Sequence, residues 1–277
     1  MNILVPLKLA HRNPVIPTSL HFACHTSSDL VFLHIVDTTP IKRSFLTEPE
    51  SMREYLKERG EEILEEAQKV AGRWGISIKT ELLEGIPDEV IARESRNYDL
   101  IVMRSRVFSP REKLGSVVEK VLSRIEKPVM LVNREKKKFE TCLVPVDGSA
   151  ESLKSLYEIK KRRDIYRFKK IIIIYVNKTS DEEIEKKEIY EHHVILESAE
   201  NIVKNVSEDI KAEVIDIHHR NIAETIIEFS RKNKVDIIFM GTKGKSGLSR
   251  LILGSVSRDV ASYSTIPVIL FSEGYIP

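Results

Sequence analysis

The sequence predicts an α/β protein built from two doubly wound parallel-sheet domains in tandem, and two observations carry that prediction. Four sequence blocks recur in the same order at a nearly constant offset. Within each half, short β-branched runs alternate with stretches of helical periodicity.

The repeat is read directly. Ile3-Leu4-Val5-Pro6-Leu7 matches Cys142-Leu143-Val144-Pro145-Val146 at an offset of 139, and Asp99 to Met103 matches Asp236 to Met240 at 137. Gly115-Ser116-Val117 matches Gly254-Ser255-Val256, and Pro128-Val129 matches Pro267-Val268, both again at 139. Between the copies lies the charged stretch Arg134-Glu135-Lys136-Lys137-Lys138, a natural linker. The expected domains are residues 1–135 and 138–277.

In the first half, strands are expected near 2–6, 29–36, 76–83, 99–103 and 128–133. Between the second and third, Met52, Leu56, Ile63, Ala67, Val70 and Trp74 share one face of an amphipathic helix. Asp37 to Glu50, with Pro40 and Pro49, reads as a loop. In the second half, strands are expected near 140–146, 170–176, 212–218, 235–240 and 266–271. A helix between Asp181 and Ile210 carries Ile195, Ala199, Ile202, Val206 and Ile210 at helical spacing. The run Ile171 to Val176 suits a parallel strand covered on both faces, and short right-handed crossovers complete a five-stranded sheet in each half.

Composition narrows the function classes. The 277 residues hold 44 basic against 42 acidic side chains, a formal charge of +2, which argues against a dedicated nucleic-acid binder. A hydrophobic content of 42% excludes disorder over most of the chain. No apolar run has bilayer length, and Met1 to Pro6 carries neither a basic segment nor a cleavage site of an export signal. Cys24 and Cys142 cannot form a disulfide framework. A cytoplasmic protein without membrane or nucleic-acid partners is expected.

Open parallel sheets bind ligands beyond the carboxyl ends of their strands, where the strand order reverses. After the first strand of the second half comes Val146-Asp147-Gly148-Ser149. Asp147 suits a sugar hydroxyl or a phosphate-bound Mg²⁺; equally, Asp147 or Ser149 suits the cap of the next helix. After the fourth strand comes Gly241-Thr242-Lys243-Gly244-Lys245-Ser246-Gly247, followed by Arg250 and then Gly254-Ser255-Val256. Glycines here let backbone N–H groups turn toward an anion, and the helix opened by Gly254 and Ser255 offers unsatisfied amides and a positive dipole end. The alternative is a plain glycine loop before a capped helix. A P-loop is excluded because Phe239 stands where its first glycine belongs, and neither half carries Gly-x-Gly-x-x-Gly after its first strand.

These residues resemble the universal stress protein family, whose first strand ends in Val-Pro-x-Asp-Gly-Ser and whose nucleotide-binding branch carries Gly-x2-Gly-x9-Gly-Ser. Pro145 to Ser149 match the first element; Gly241, Gly244, Gly254 and Ser255 match the second with all spacings intact. The resemblance covers the chain as two tandem copies. It implies a strand order of 3-2-1-4-5 and an adenine nucleotide, ATP or AMP, with Mg²⁺ beside a triphosphate. It also implies a nucleotide-binding set of Pro145, Val146, Asp147, Val176, Met240, Gly241, Lys243, Gly244, Gly254, Ser255 and Val256, with Asp147 and Val176 at the adenosine and the glycines around ribose and phosphates.

The first half departs from the pattern: Lys8 stands at the position of Asp147, and no glycine lies between Met103 and Gly115. It is expected to bind no adenine nucleotide in the family manner and to pair with the second half through the fifth strands, Pro128 to Val132 and Pro267 to Phe271. A homodimer of the whole chain is a further expectation. His192-His193, His218-His219 and the group His21, Cys24 and His25 supply no metal set, the last read as a small core-facing patch; no catalytic residue is assigned. The resulting expectation is a nucleotide-binding sensor or regulator of stress responses. The alternatives are a slow ATPase or phosphotransferase using Mg²⁺ held at Asp147, and a nucleotide-free interaction scaffold.

Overall fold

A computed structural model describes residues 1–8, 13–39, 49–105, 114–178, 186–217, 221–243, 253–272 and 274–277. The first half runs β1 (Asn2–Leu7), α1 (Val15–Thr26), β2 (Asp29–Asp37), α2 (Pro49–Gly72), β3 (Lys79–Gly85), α3 (Pro87–Glu94), β4 (Leu100–Arg104), α4 (Ser116–Arg124) and β5 (Val129–Val132). The second runs β6 (Thr141–Val146), α5 (Ala150–Lys161), the single turn α6 (Arg163–Tyr166), β7 (Lys170–Lys178), α7 (Lys186–Val203), β8 (Asp209–Ile217), α8 (Ile222–Lys232), β9 (Ile237–Gly241), α9 (Ser255–Tyr263) and β10 (Val268–Phe271).

Each half has the strand order 3-2-1-4-5, and the two sheets fuse into one ten-stranded sheet, β3-β2-β1-β4-β5-β10-β9-β6-β7-β8. Every pairing in it is parallel except the seam, where β10 runs antiparallel to β5 with Ile269 opposite Met130. Alternation along the strands builds two apolar layers. Val144, Met130 and Ile269 face one side, with Leu156 of α5 and Ala199 of α7; Leu143, Leu131 and Leu270 face the other, with Ala223 of α8 and Val260 of α9. Both layers cross the seam without a break.

Polar contacts lock the seam on both faces. Asn133 Nδ2 donates to the carbonyls of Ala261 (3.1 Å), Ser262 (3.3 Å) and Ser264 (3.0 Å), closing the C-terminal end of α9. Reciprocally, Ser272 Oγ donates to the Glu126 carbonyl at 3.0 Å, just past the end of α4. On the opposite face, the buried Glu158 carboxylate accepts from Tyr166 (2.9 Å) and Tyr275 (2.6 Å) and pairs with Arg162. Arg162 reaches across to Asp99 of the first half at 3.0 Å. Burial pushes the Glu158 carboxyl above its ordinary range, with the tyrosine hydrogen bonds and Arg162 pulling the other way. The charged stretch between the halves is anchored too: the Lys136 amide donates to Thr18, and its ammonium pairs with Asp236 at 2.6 Å.

Several expected elements shift. The helix expected to extend to Ile210 ends at Val203, because Asn205 turns left-handed (φ 68°) and Asp209 opens β8. Strand β3 begins at Lys79 rather than near 76, after a turn at Gly75 (φ +66°). On α2 the core face is Ile63, Leu64, Ala67 and Ala71; Met52 is exposed on the first turn, and Trp74 lies beyond the helix, against His21 at a centroid distance of 4.1 Å. Cys24 is exposed rather than core-facing, whereas Cys142 is buried as its strand position suggested. Among the described residues, no helix is long and apolar enough to cross a membrane.

Candidate nucleotide site at the carboxyl ends of β6 and β9

The first strand of the second half makes only two bridges to the fourth, Cys142 with Ile237 and Leu143 with Ile238. Beyond them the chain leaves β6 for one face of the sheet and β9 for the other, so the reversal opens between their carboxyl ends. Asp147 and Gly148 lie on one lip, Gly241 to Lys243 and Gly254 to Val256 on the other. Pro145, Val146 and Met240 are buried strand residues beneath them, and Val176 stands partly buried near the end of β7.

On the first lip, Gly148 adopts φ +80°, a conformation that favours glycine and turns the chain into α5. Asp147 Oδ1 accepts from the Ser149 amide at 2.9 Å, and Ser149 Oγ accepts from the Ser152 amide at 3.2 Å as the N-cap. Ser149 is therefore the cap, and the turn bond from its amide holds the Asp147 carboxylate at the lip.

The second lip is a loop with a closed neck. The Thr242 amide donates to Phe271 of β10 at 2.9 Å, and the Gly254 amide returns to the Thr242 carbonyl at 2.8 Å. Ser257 Oγ donates to the Gly241 carbonyl at 2.8 Å, tying α9 to the end of β9. A Cβ at Gly254 would lie 3.2 Å from the Thr242 carbonyl oxygen, so a bare backbone suits this neck. The amides of Gly254 and Thr242 are thus engaged within the protein. Gly254 as N-cap offers no side chain to α9, so the N-cap leaves the first-turn amides, beginning with Ser255 and Val256, without a side-chain acceptor. A helix N-terminus opened by a glycine, with Lys243 nearby in the neck, suits a phosphate-sized anion. Gly244, Lys245, Ser246, Gly247 and Arg250 fall outside the described residues, as do His218 and His219.

The corresponding neck of the first half opens α4 on a glycine N-cap in the same way but is roomier and carries different side chains. The Gly115 amide donates to the Ser105 carbonyl at 2.9 Å, but a Cβ on Gly115 would meet its nearest atom at 3.7 Å. Arg104 stands where β9 has Gly241, and Lys8 is exposed at the position of Asp147. Elsewhere, His192 is buried in a stack on Tyr175 with a centroid distance of 4.3 Å. No group of three His, Cys, Asp or Glu side chains among the described residues is arranged to hold a metal ion.

The comparison with known sequences bears on both copies of this arrangement. The sequence profile of the universal stress protein family matches residues 1–133 and again 138–272. The chain belongs to the universal stress protein family. Universal stress protein MJ0531 of Methanocaldococcus jannaschii is 34% identical over 128 residues, which cover 43% of this chain and 73% of that protein. Universal stress protein Slr1230 of Synechocystis is 22% identical over 178 residues, covering 63% of this chain and 58% of that one. Among solved structures, a universal stress protein of Archaeoglobus fulgidus superposes with a TM-score of 0.72 at 23% identity, covering 99% of this chain and 98% of that one. That likeness shows the fold of a universal stress protein across both halves.

The sequence missed the engagement of Gly241 and Gly254 inside the protein. It also missed the cations of α4 that line one cavity with Thr242 and Lys243 of the neck, because their approach depends on the antiparallel seam.

Proposed function

We propose that the second half binds an adenine nucleotide across the carboxyl ends of β6 and β9, and that the chain acts as a nucleotide-responsive regulator in stress responses. The observation that carries this reading is the Asp147 turn at the end of β6 combined with the glycine-built neck at the end of β9, where the first half has Lys8 and Arg104. Phosphate oxygens would accept from the amides of Ser255 and Val256 in the positive field of α9, with Gly244 completing the loop. Asp147 and the backbone at Val176 would hold the adenosine part. A triphosphate would bring Mg²⁺, for which Asp147 is the carboxylate at hand. The motif spacing Gly241, Gly244, Gly254 and Ser255, together with family membership, supports the assignment.

The first half then serves as the partner that completes the sheet. Strand β5 is hydrogen-bonded on both edges, to β4 and to β10, so a homodimer of the chain would have to form through another surface.

Calorimetric titration of the full chain with AMP and ATP, with and without Mg²⁺, tests the proposal. The expected result is one site per chain, with affinity reduced on the order of tenfold or more in Asp147→Ala. No binding, or two equivalent sites, would overturn it. ATP turnover that Asp147→Ala abolishes would replace the regulator by an enzyme.

A further inference from the structure

A cavity of about 590 Å³ lies between the two halves beside the neck at Thr242, Lys243 and Leu253, a volume in the range of small-molecule sites. Thr242, Lys243 and Leu253 line it on one side, the two ends of the loop neck. The C-terminal part of α4, from the first half, lines the other with Lys120 and Arg124. Arg258 of α9 completes the wall. Among the described lining residues, four cations (Lys120, Arg124, Lys243 and Arg258) stand against two carboxylates, Glu119 and Glu126, with Arg124 already paired with Asp88 at 2.6 Å. The remaining positive balance suits a negatively charged occupant.

Arg258 is the residue that ties this cavity to the loop. It sits one turn into α9 from Ser255, and helical side chains lean toward the helix N-terminus, here toward the uncapped amides. Among the described residues its buried Nε has no hydrogen-bond acceptor, and a Glu119 carboxylate oxygen is 3.6 Å away. Lys120 has its ion pair among the described residues with Asp88, at 3.6 Å, with a side chain 59% exposed. Separations this long let both cations turn to an anion at little cost.

We infer that α4 of the first half and Arg258 together form a subsite for the outer phosphates of a nucleotide held by the second half. The inference rests on the nucleotide reading above. A monophosphate ends at the α9 amides, within the second half. A triphosphate continues past the neck into the cavity, where Lys120 and Arg258 meet its terminal oxygens with charge-assisted hydrogen bonds. The half without a nucleotide motif thereby sets the preference for phosphate-chain length, and a triphosphate bridges both halves.

The test is titration of the full chain with AMP and with ATP in Mg²⁺, for the wild type, Lys120→Gln and the double variant Lys120→Gln/Arg258→Gln. The wild type should bind ATP more tightly than AMP. ATP affinity should fall about threefold in the single variant and on the order of tenfold in the double, with AMP affinity held within about twofold. Lys120→Gln keeps the test open should the double variant prove unstable, since Lys120 is largely exposed. Equal losses for AMP and ATP, an unchanged ATP affinity, or a wild type that prefers AMP would each overturn the inference while leaving nucleotide binding intact. A wild type that binds neither nucleotide overturns the parent reading, and this one with it.

Discussion

Gly241 lies directly beneath Glu151: a Cβ at residue 241 would stand 2.8 Å from both the carbonyl carbon and the carbonyl oxygen of Glu151. The end of β9 and the first turn of α5 therefore meet backbone to backbone, which brings the Asp147 turn and the loop neck to their spacing. Gly241→Ala should push α5 off the strand and destabilise the protein by about 2 kcal/mol, the scale of an overpacked core. Urea unfolding measures the loss, and an unchanged midpoint would show that α5 yields freely.

The N-caps of α4 and α9 respond oppositely to the same change. A serine hydroxyl at an N-cap accepts from first-turn amides, and those amides are the donors proposed for phosphate. Gly254→Ser should therefore weaken AMP and ATP alike by on the order of tenfold, by occupying the donors and crowding Thr242. Gly115→Ser has room for its Cβ and should leave binding unchanged, with stability equal or up to about 0.5 kcal/mol higher. Parallel titrations and thermal melts of the two variants distinguish the halves.

Asn133 joins four groups from two segments: its amide nitrogen donates to three carbonyls at the end of α9, and its oxygen accepts from Ser105 Oγ at 2.7 Å. Asn133→Ala should cost about 2 kcal/mol by leaving these partners unsatisfied. Asn133→Asp should cost more, since a carboxylate would then face three carbonyl oxygens. Ser272→Ala, which removes one exposed hydrogen bond across the seam, should cost about 0.5 kcal/mol. Denaturant melts of the three variants give the ranking, and equal effects would show that the seam does not depend on the Asn133 cap.

His34 provides the pH dependence. It is buried under Gly60, where a Cβ would come within 2.6 Å of the ring, and its Nδ1 lies 2.9 Å from the Leu7 carbonyl. Burial holds its pKa below the ordinary 6.5, with the carbonyl contact opposing. The native state thus binds the proton less readily than the unfolded chain, so stability is full above pH 6.5 and is lost as pH falls from there through the depressed native value. His34→Asn, which can still donate to Leu7, should flatten the stability difference between pH 7.5 and pH 5.5 relative to the wild type. His21 and His25, also depressed by burial, leave a residual slope. Denaturant titrations at the two pH values check it, and identical slopes would assign the dependence elsewhere.

Legibility in the sequence followed the range of the interaction. Asp147, Gly148 and Ser149 were readable as a turn and cap because all three act within a few residues of one another. The apolar strands announced themselves because parallel strands covered on both faces require uninterrupted runs such as Ile171 to Ile174. The spacing of Ile210 fits a helix although it lies in β8, because the left-handed Asn205 after α7 leaves no periodic trace. Trp74 fits the helical face of α2 but packs on His21, a partner from α1.

The amino-acid sequence alone determined that this protein is a duplicated α/β chain with one glycine-rich loop at a strand end, since repeats, periodicity and motif spacing are properties of neighbouring residues. Only the tertiary structure decided that the two sheets become one through β5 and β10, that Gly241 is shaped by Glu151, and that Lys120 and Arg258 from different halves border one cavity. Those relationships join residues far apart in the chain. They exist only once burial of the apolar faces has brought distant segments into contact.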